Sequence, residues 1–365
     1  MSAPAALANE AWQPAERAGG RAGRRAGLMA RDGARLTPAA MLGALPPPAL
    51  ILAGIVSVQV GAGLAKQLFA VAPPVSVTAL RLWSSAVFMV LPSAPALWRQ
   101  RPWRGAPGRG DPGVSPGGAE GPPGLAGRQR VHRGKVAWGS LGVATAFGLT
   151  LAVMNFAIYQ SFARIPLGVA VTIEFLGPLG VAVAASRRLI DVVWVVLAGM
   201  GVVLLTHGSG PGGHITVVGV AYGLLAAACW AAYILLSAAT GRRFPGSSGL
   251  TIAMVVAAVA IAPVGVVAGG ATLLRPGVIV IGAGIGLLSS VIPYSLELEA
   301  LRRMPPRVFG ILMSLEPAVA ALVGLVLLGQ VLSVTEWLAI GCVMVACVGA
   351  SRGASGGRPA ATPEA

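Results

Sequence analysis

The segment RIPLGVAVTIEFLGP, residues 164–178, decides the fold, because it recurs as RMPPRVFGILMSLEP at residues 303–317. The two copies align without a gap at an offset of 139 residues. Five aligned positions are identical: Arg164/Arg303, Pro166/Pro305, Val169/Val308, Leu176/Leu315 and Pro178/Pro317. An Arg-x-Pro start and a proline twelve residues later are hard to obtain from a background of Ala, Val and Leu. We therefore predict an internal repeat that relates the two halves of the chain.

The composition excludes an ordinary soluble domain. Of the 365 residues 55% are hydrophobic and 11% are charged, whereas a typical soluble protein has roughly 25% charged residues. Long stretches such as 192–241 and 244–274 carry no formal charge. A nucleic-acid-binding protein spreads basic residues over a folded surface, so the net charge of +15 does not indicate one.

Disulfide and metal chemistry are also not indicated. The three cysteines all fall inside apolar segments, and three cannot build a disulfide framework. The three histidines lack the spacing of metal ligands. We expect neither a metal nor a cofactor.

The apolar segments have the length of membrane spans. A bilayer core about 30 Å thick needs a helix of roughly 20 apolar residues. Pro, Gly and Arg residues at the boundaries of the apolar segments predict ten spans, near residues 48–69, 76–97, 136–158, 166–185, 190–206, 216–239, 250–269, 277–298, 307–328 and 334–350. The fold class is therefore predicted to be an all-α integral membrane protein with ten transmembrane helices.

Three polar segments fall outside these spans. Residues 1–47 hold six arginines without an apolar core, which predicts a disordered basic tail and not a cleavable signal peptide. Residues 98–134 form a Gly, Pro and Arg linker with little to bury, which predicts a flexible loop. Residues 351–365 form a second disordered tail. The two repeats are then 48–206 and 207–350.

The positions of Lys and Arg predict the orientation in the membrane. Cationic loops are retained in the cytoplasm. With both termini inside, 23 of the 27 Lys and Arg residues lie on the cytoplasmic side. Each repeat has five spans, an odd number, so the second copy must be inverted relative to the first. Inverted repeats of this kind build secondary transporters.

Acidic residues inside the spans are the leading candidates for a functional site. A charge at bilayer depth costs at least about 2.5–3.5 kcal/mol, so it needs a partner, a water-filled cavity or a function. Glu174 and Glu316 lie beside the matching prolines Pro178 and Pro317. One hypothesis is that both face a central cavity and bind an ammonium group, a proton, or each in turn. The alternative is a structural ion pair with Lys66 or Arg81.

Polar and aromatic side chains recur at helical spacing in several spans. Each such stripe is also explained by helix packing, but together they indicate a polar-lined cavity. The candidate substrate-binding or coupling residues are Lys66, Arg81, Asn155, Tyr159, Glu174, Trp230, Tyr233, Tyr294, Glu297 and Glu316.

Several segments resemble a known transporter family. ALRLW at residues 79–83, IPLGVAVTIEFLGPL at 165–179 and SLEPAVAALVGLVLLGQ at 314–330 are similar to the EamA family of the drug/metabolite transporter superfamily. Within that family, residues 166–178 and 294–303 are most similar to the threonine/homoserine exporters. The likeness covers residues 48–350, and the first tail and the linker go beyond the usual pattern.

The resemblance implies efflux of small polar metabolites across a bacterial inner membrane, with the substrate held between the two repeats. Amino acids such as threonine and homoserine are the expected substrates, and proton exchange is the expected driving force. Expected partners are the substrate, protons and membrane lipids, with no nucleic acid. The sequence carries no signal for an oligomeric state.

Three other functions stay open. One is a broad exporter of drugs or other metabolites with the same fold. Another is a membrane-embedded enzyme acting on lipid-linked substrates, although the chain has no intramembrane histidine and no Asp-rich motif for such chemistry. The third is a membrane scaffold, which would leave the charges at bilayer depth unexplained.

Overall fold

All regular structure is helical in the part of the chain that the computed structural model describes, which is residues 45–99, 138–184, 190–207, 215–244 and 248–353. Residues from Pro47 onwards form one unit. Most of the tail predicted at 1–47 and of the linker predicted at 98–134 lies outside the described residues, as do residues 354–365.

We number the helices of the described part in chain order. They are α1 (Pro47–Leu68), α2 (Pro74–Arg99), α3 (Trp138–Phe162), α4 (Leu167–Glu174), α5 (Leu176–Ala184), α6 (Ile190–His207), α7 (Val217–Gly241), α8 (Ser248–Gly269), α9 (Pro276–Gly286), α10 (Ile292–Leu301), α11 (Pro306–Met313), α12 (Glu316–Leu328) and α13 (Val334–Gly353). A 3-10 turn, Gly270–Leu274, follows α8, and a π-helical turn, Leu287–Val291, joins α9 to α10.

Nine helical stretches of the described residues are long and apolar enough to cross a bilayer, judged by length and composition. They correspond to nine of the ten predicted spans. The remaining span, predicted at 190–206, coincides with α6, whose apolar part Ile190–Leu205 is shorter than 18 residues. An all-α chain with many apolar spans is confirmed, and a tenth crossing stays a prediction.

Two spans are interrupted at equivalent positions of the repeat. The sequence predicts one span over 166–185 and one over 307–328, but each consists of two helices. The first breaks between α4 and α5 at Phe175, and the second between α11 and α12 at Ser314 and Leu315. Pro178 and Pro317 lie in the first turn of α5 and of α12, where a helix leaves its N–H groups unbonded and proline is tolerated. Each proline therefore begins a new helix instead of loosening a continuous one.

A third span is interrupted only in the second half of the chain. The stretch predicted at 277–298 contains the π-helical turn, followed by Pro293 in the first turn of α10. Short π-helical segments inside α-helices occur frequently at functional sites. The widened turn lets side chains of other helices reach its carbonyl groups: the Ser57 hydroxyl donates to the Leu288 carbonyl oxygen at 2.7 Å.

Two helices of the second half begin with side-chain caps. The Thr216 hydroxyl accepts from the backbone N–H of Gly219 at 3.1 Å and caps α7. At the start of α13, the Glu336 carboxylate accepts from the Ser333 N–H at 2.7 Å and from the Ser333 hydroxyl at 2.8 Å. Such caps satisfy N–H groups that have no partner within the helix.

Helix contacts follow a regular pattern between the two halves of the described chain. We match α1 with α7, α2 with α8, α3 with α9 and α10 together, α4 with α11, α5 with α12, and α6 with α13. Exchanging the halves then converts the contact α3/α7 into α1/α10, α3/α8 into α2/α9, and α5/α7 into α1/α12, and all six contacts are present. The contacts α2/α8 and α6/α13 convert into themselves.

Small residues allow helices of the two halves to approach closely. A Cβ atom on Gly168 in α4 would lie 2.7 Å from both Cα and Cβ of Ala321 in α12. Because lipid tails are as apolar as the helices, close packing of small residues is a main source of helix association in a membrane. The contact between α4 and α12 therefore depends on glycine at position 168.

Replacing Gly168 with alanine is expected to lower the free energy of unfolding by about 1–3 kcal/mol, because the added methyl group overpacks the α4/α12 contact. Thermal unfolding of the purified protein in detergent, followed by tryptophan fluorescence, measures the change. Gly180→Ala in α5 is the matched control, because no heavy atom lies within 4 Å of a Cβ built there. Equal melting temperatures for the two variants would contradict the close α4/α12 contact.

Candidate functional site

A cavity of about 340 Å³ lies among helices of both halves of the chain. Its lining residues come from α1, α2, α3, α4, α7, α10, α11 and α12 and from the π-helical turn. Eight of the ten predicted site residues belong to this lining: Arg81, Asn155, Glu174, Trp230, Tyr233, Tyr294, Glu297 and Glu316. Residues far apart in sequence thus surround one space, which we call the central cavity.

The helix breaks place two of the carboxyl groups in the central cavity. Glu174 is the last residue of α4, and Glu316 is the first residue of α12. A carboxylate is stabilised at a helix N-terminus and disfavoured at a C-terminus. The Gln59 side chain also donates from Nε2 to Oε1 of Glu316 at 2.9 Å. Glu316 therefore has support from its own helix and from α1, whereas Glu174 stands at the unfavourable end of α4.

Neither acid forms the ion pair that the sequence left open as an alternative. Within the described residues, the salt bridges join Glu299 to Arg302 and Arg303, and these residues lie outside the lining of the central cavity. The other carboxyl group of the lining, Glu297, is likewise not in a salt bridge with a described residue. Buried charges without a partner are expensive, so these groups remain available to a cationic ligand or to a proton.

Arg81 is the one cation among the lining residues. Its guanidinium carbon lies 5.4 Å from the centre of the Tyr159 ring, and Nη2 donates weakly to the Ser289 carbonyl oxygen at 3.5 Å. Its Nε atom is buried without a hydrogen-bond partner among the described residues. A guanidinium held by a ring face and one carbonyl keeps donors free for an anion.

Aromatic and amide side chains complete the wall. The Trp230 ring meets the Phe175 ring edge-on, with the centroids 5.0 Å apart. Tyr233 packs on Phe147 with centroids 5.2 Å apart. The Asn155 amide donates from Nδ2 to the Leu151 carbonyl oxygen at 2.8 Å, which fixes its orientation.

Two predicted site residues, Lys66 and Tyr159, lie outside the lining. Tyr159 is fully buried beneath Arg81. Lys66 lies in the last turn of α1, and its Nζ donates to the Ile165 carbonyl oxygen at 2.7 Å in the connection between α3 and α4. Lys66 is therefore tied to a neighbouring connection and does not meet a carboxylate.

Two more hydrogen bonds lie near Lys66. Gln67 donates from Nε2 to the Leu327 carbonyl oxygen at 2.9 Å, and the Leu167 N–H donates to Oε1 of Gln330 at 2.9 Å. Together with the Lys66 bond we call them the end cluster, because they join the ends of α1 and α12 to the start of α4. Both of these added bonds connect residues of different halves.

Sequence reasoning missed several lining residues. Gln59 shares a helix face with Lys66. Helix spacing alone does not show that Gln59 lines the cavity while Lys66 lies near the helix end. Ser289 lies in the π-helical turn, and nothing in the sequence pattern marks that turn. Met313 lies in the lining and is the repeat equivalent of Glu174 at the offset of 139, so the alignment of the two copies contained a signal for it.

A second cavity of about 240 Å³ adjoins the first. The two share the side chains of Trp230, Phe309 and Met313. The rest of its lining is mostly apolar and comes from α5, α7, α11 and α13 and from the two helix breaks, at Phe175 and Ser314. We call it the side cavity.

Comparison with known proteins gives consistent matches. Residues 217–352 match the EamA-like transporter family. The chain is 36% identical over 305 residues to the threonine/homoserine exporter RhtA of Escherichia coli K12, covering 84% of this chain and 91% of the relative. The RhtA exporter of Salmonella typhimurium LT2 is 35% identical over the same length and coverage.

A solved structure titled only "Crystal structure of protein" aligns over 83% of this chain and 98% of its own, with a TM-score of 0.47 and 17% identity. That likeness is too distant to carry a conclusion. The identity to the RhtA exporters extends over both halves of the chain and is high enough to show common membership. Since these relatives are named exporters, the interpretation as a membrane-embedded enzyme is set aside. The chain belongs to the EamA-like transporter family.

Proposed function

We propose that the protein is an inner-membrane secondary transporter that exports small amino acids, most of all threonine and homoserine, in exchange for protons. The observation that carries the proposal is the central cavity, in which one guanidinium and three carboxyl groups surround a space of about 340 Å³. The named activity of the RhtA relatives supports the choice of substrate.

The charges of the lining match those of an amino-acid zwitterion. Arg81 has free guanidinium donors for the substrate carboxylate. Glu174 and Glu316, at the two helix breaks, accept from the substrate ammonium group. Glu174 has the weaker support of the two, so it gains most from a bound cation. Tyr159 holds the Arg81 guanidinium, which makes Tyr159 a positioning residue.

The size of the central cavity favours a small substrate. Ligand sites in proteins span roughly 300–1,000 Å³, and 340 Å³ lies near the lower limit. A compact metabolite with two opposite charges satisfies both the volume and the polar groups. A large drug would need the cavity to expand.

Proton exchange follows from competition for the same carboxyl groups. Three carboxyl groups and one guanidinium carry an excess of negative charge that is costly to bury. A substrate ammonium group or a proton offsets the charge of the carboxylate that takes it up, and Arg81 offsets the substrate carboxylate. Release of substrate on one side and of a proton on the other then couples the two fluxes.

Alternating access is proposed to use two inverted repeats, residues 48–206 and 207–350. Helix breaks at equivalent positions and the exchange pattern of helix contacts support this arrangement. Both termini are proposed to be cytoplasmic, on the evidence of the Lys and Arg distribution. In this proposal the end cluster, which includes Lys66, closes one end of the cavity.

A broader exporter of metabolites or drugs is the second candidate. The side cavity of about 240 Å³ favours it, because Trp230, Phe309 and Met313 line both cavities and an apolar space thus adjoins the central cavity. A competition screen on the purified protein distinguishes the candidates. Inhibition by large apolar amines at the level of threonine would favour the broader exporter.

Glu174→Gln is expected to abolish the uptake of labelled threonine into inside-out vesicles that is driven by an inside-acid pH gradient, or to remove its pH dependence. The amide cannot take up and release the exchanged proton. Glu299→Gln is the control, because Glu299 pairs with Arg302 and Arg303 away from the cavity. Proton-driven uptake that is unchanged in Glu174→Gln would remove this mechanism.

Arg81→Gln is expected to weaken competition by threonine at least about tenfold, because a charge-assisted hydrogen bond to the substrate carboxylate is lost. Competition by threonine amide, which has no carboxylate, is expected to stay the same. Counterflow in proteoliposomes measures both. Equal weakening for the acid and the amide would argue against carboxylate recognition by Arg81.

Reporter tags inserted after residues 186 and 210 are expected to face opposite sides of the membrane. This tests the crossing by α6, whose apolar part, Ile190–Leu205, is shorter than 18 residues. Alkaline phosphatase and fluorescent protein fusions give the two readouts. If both tags report the same side, the second half is not inverted relative to the first.

A further inference from the structure

Unpartnered polar atoms gather around the central cavity. Seven buried side-chain atoms lack a hydrogen-bond partner within the residues that the structure describes, and three of them belong to the lining. These are Gln59 Oε1, Arg81 Nε and Ser289 Oγ. Native proteins leave few buried polar atoms unsatisfied, so a cluster of them at a cavity indicates that a ligand supplies the partners.

Gln59 differs from the other two residues. The Arg81 atom belongs to the guanidinium already assigned to the substrate carboxylate. Ser289 Oγ lies against α1, where a Cβ atom on Gly61 would collide with it. Gln59 Oε1 is a pure hydrogen-bond acceptor on a side chain that is only 2% exposed, and the proposed zwitterion recognition gives it no partner.

The bond to Glu316 fixes which end of the Gln59 amide is free. An ionised carboxylate only accepts hydrogen bonds, so the NH₂ end of the amide must face it. Nε2 does donate to Glu316 Oε1 at 2.9 Å. The amide oxygen is then left unbonded, one carbon away from the nitrogen that holds the carboxylate.

This pair of neighbouring acceptors matches a specific chemical pattern. A ligand with an ammonium group and a hydroxyl group on adjacent or nearly adjacent carbons can donate to Glu316 and to Gln59 at the same time. Threonine has the two groups on neighbouring carbons, and homoserine has one more carbon between them. Valine and norvaline have similar shapes and no hydroxyl group.

We propose that Gln59 is the residue that selects hydroxylated amino acids: its Oε1 accepts a hydrogen bond from the side-chain hydroxyl of a substrate whose ammonium group lies at Glu316. This inference rests on the proposed function and adds a basis for its specificity. An apolar analogue leaves the Gln59 oxygen buried and unpaired, and sites built to bond a substrate hydroxyl reject analogues that lack it.

The test is a competition series in proteoliposomes that contain the full-length protein, with labelled threonine in counterflow. The competitors are threonine, valine and the analogue of threonine in which fluorine replaces the hydroxyl group. Fluorine has a similar size but cannot donate a hydrogen bond. In the wild type, valine and the fluoro analogue are both expected to compete at least about tenfold more weakly than threonine.

Gln59→Met is expected to bring the valine-to-threonine ratio of inhibition constants close to one. Gln67→Met is the matched control, because Gln67 lies near the end of the same helix, bonds the Leu327 carbonyl oxygen and lies outside the lining. That variant is expected to keep the wild-type ratio. The fluoro analogue keeps the test decisive if Gln59→Met fails to fold, because it needs no variant.

The outcomes separate the two proposals. A wild type that exchanges no amino acid overturns the proposed function and this inference with it. Exchange of threonine with equal competition by the fluoro analogue overturns only the role of Gln59, and so does an unchanged ratio in Gln59→Met. Either result would mean that water, and not the substrate, bonds the Gln59 oxygen.

Discussion

A carboxyl group at bilayer depth needs a partner, and this requirement organises the centre of the molecule. Three such groups, Glu174, Glu297 and Glu316, line one cavity and form no salt bridge with a described residue. Two helices are broken beside Glu174 and Glu316, so the C-terminus of α4 and the N-terminus of α12 both lie at this cavity. In the proposed function, the ligand is the partner that these acids need, so the same carboxyl groups determine both the stability of the site and its activity.

The cavity exists because helices of both halves meet around it. Glycine at position 168, in the first turn of α4, permits the close contact with Ala321 of α12. Several contacts between elements of the two halves convert into each other when the halves are exchanged. If the halves are inverted repeats, as proposed, exchanging their conformations gives a second arrangement of similar packing energy, and alternating access requires two such arrangements.

Composition and spacing were enough to predict the helical class, the positions of most spans and eight residues of the lining. They succeeded because long apolar runs are rare outside membrane proteins, and charged residues inside such runs are rare outside functional sites. They did not predict the π-helical turn or the positions of Lys66 and Tyr159. A pattern along one helix shows which residues share a face. It does not show that Gln59 lies at the cavity and Lys66 near the helix end, because the neighbouring helices determine those positions. The helix breaks were predictable only in part. The prolines indicate the region of each break, but packing determines the residue at which the helix ends.

The end cluster adds two hydrogen bonds between the halves, and one of them is made by a side chain that water can reach, the exposed Gln67. Water replaces such bonds with little change in free energy, because each broken bond is exchanged for two bonds to solvent. Hydrogen bonds of this kind separate more readily in thermal motion than apolar contacts of the same area, which have to hydrate their surface. In the proposed exchange cycle, breaking these hydrogen bonds therefore needs no external energy source, and the proton gradient sets the direction of net movement.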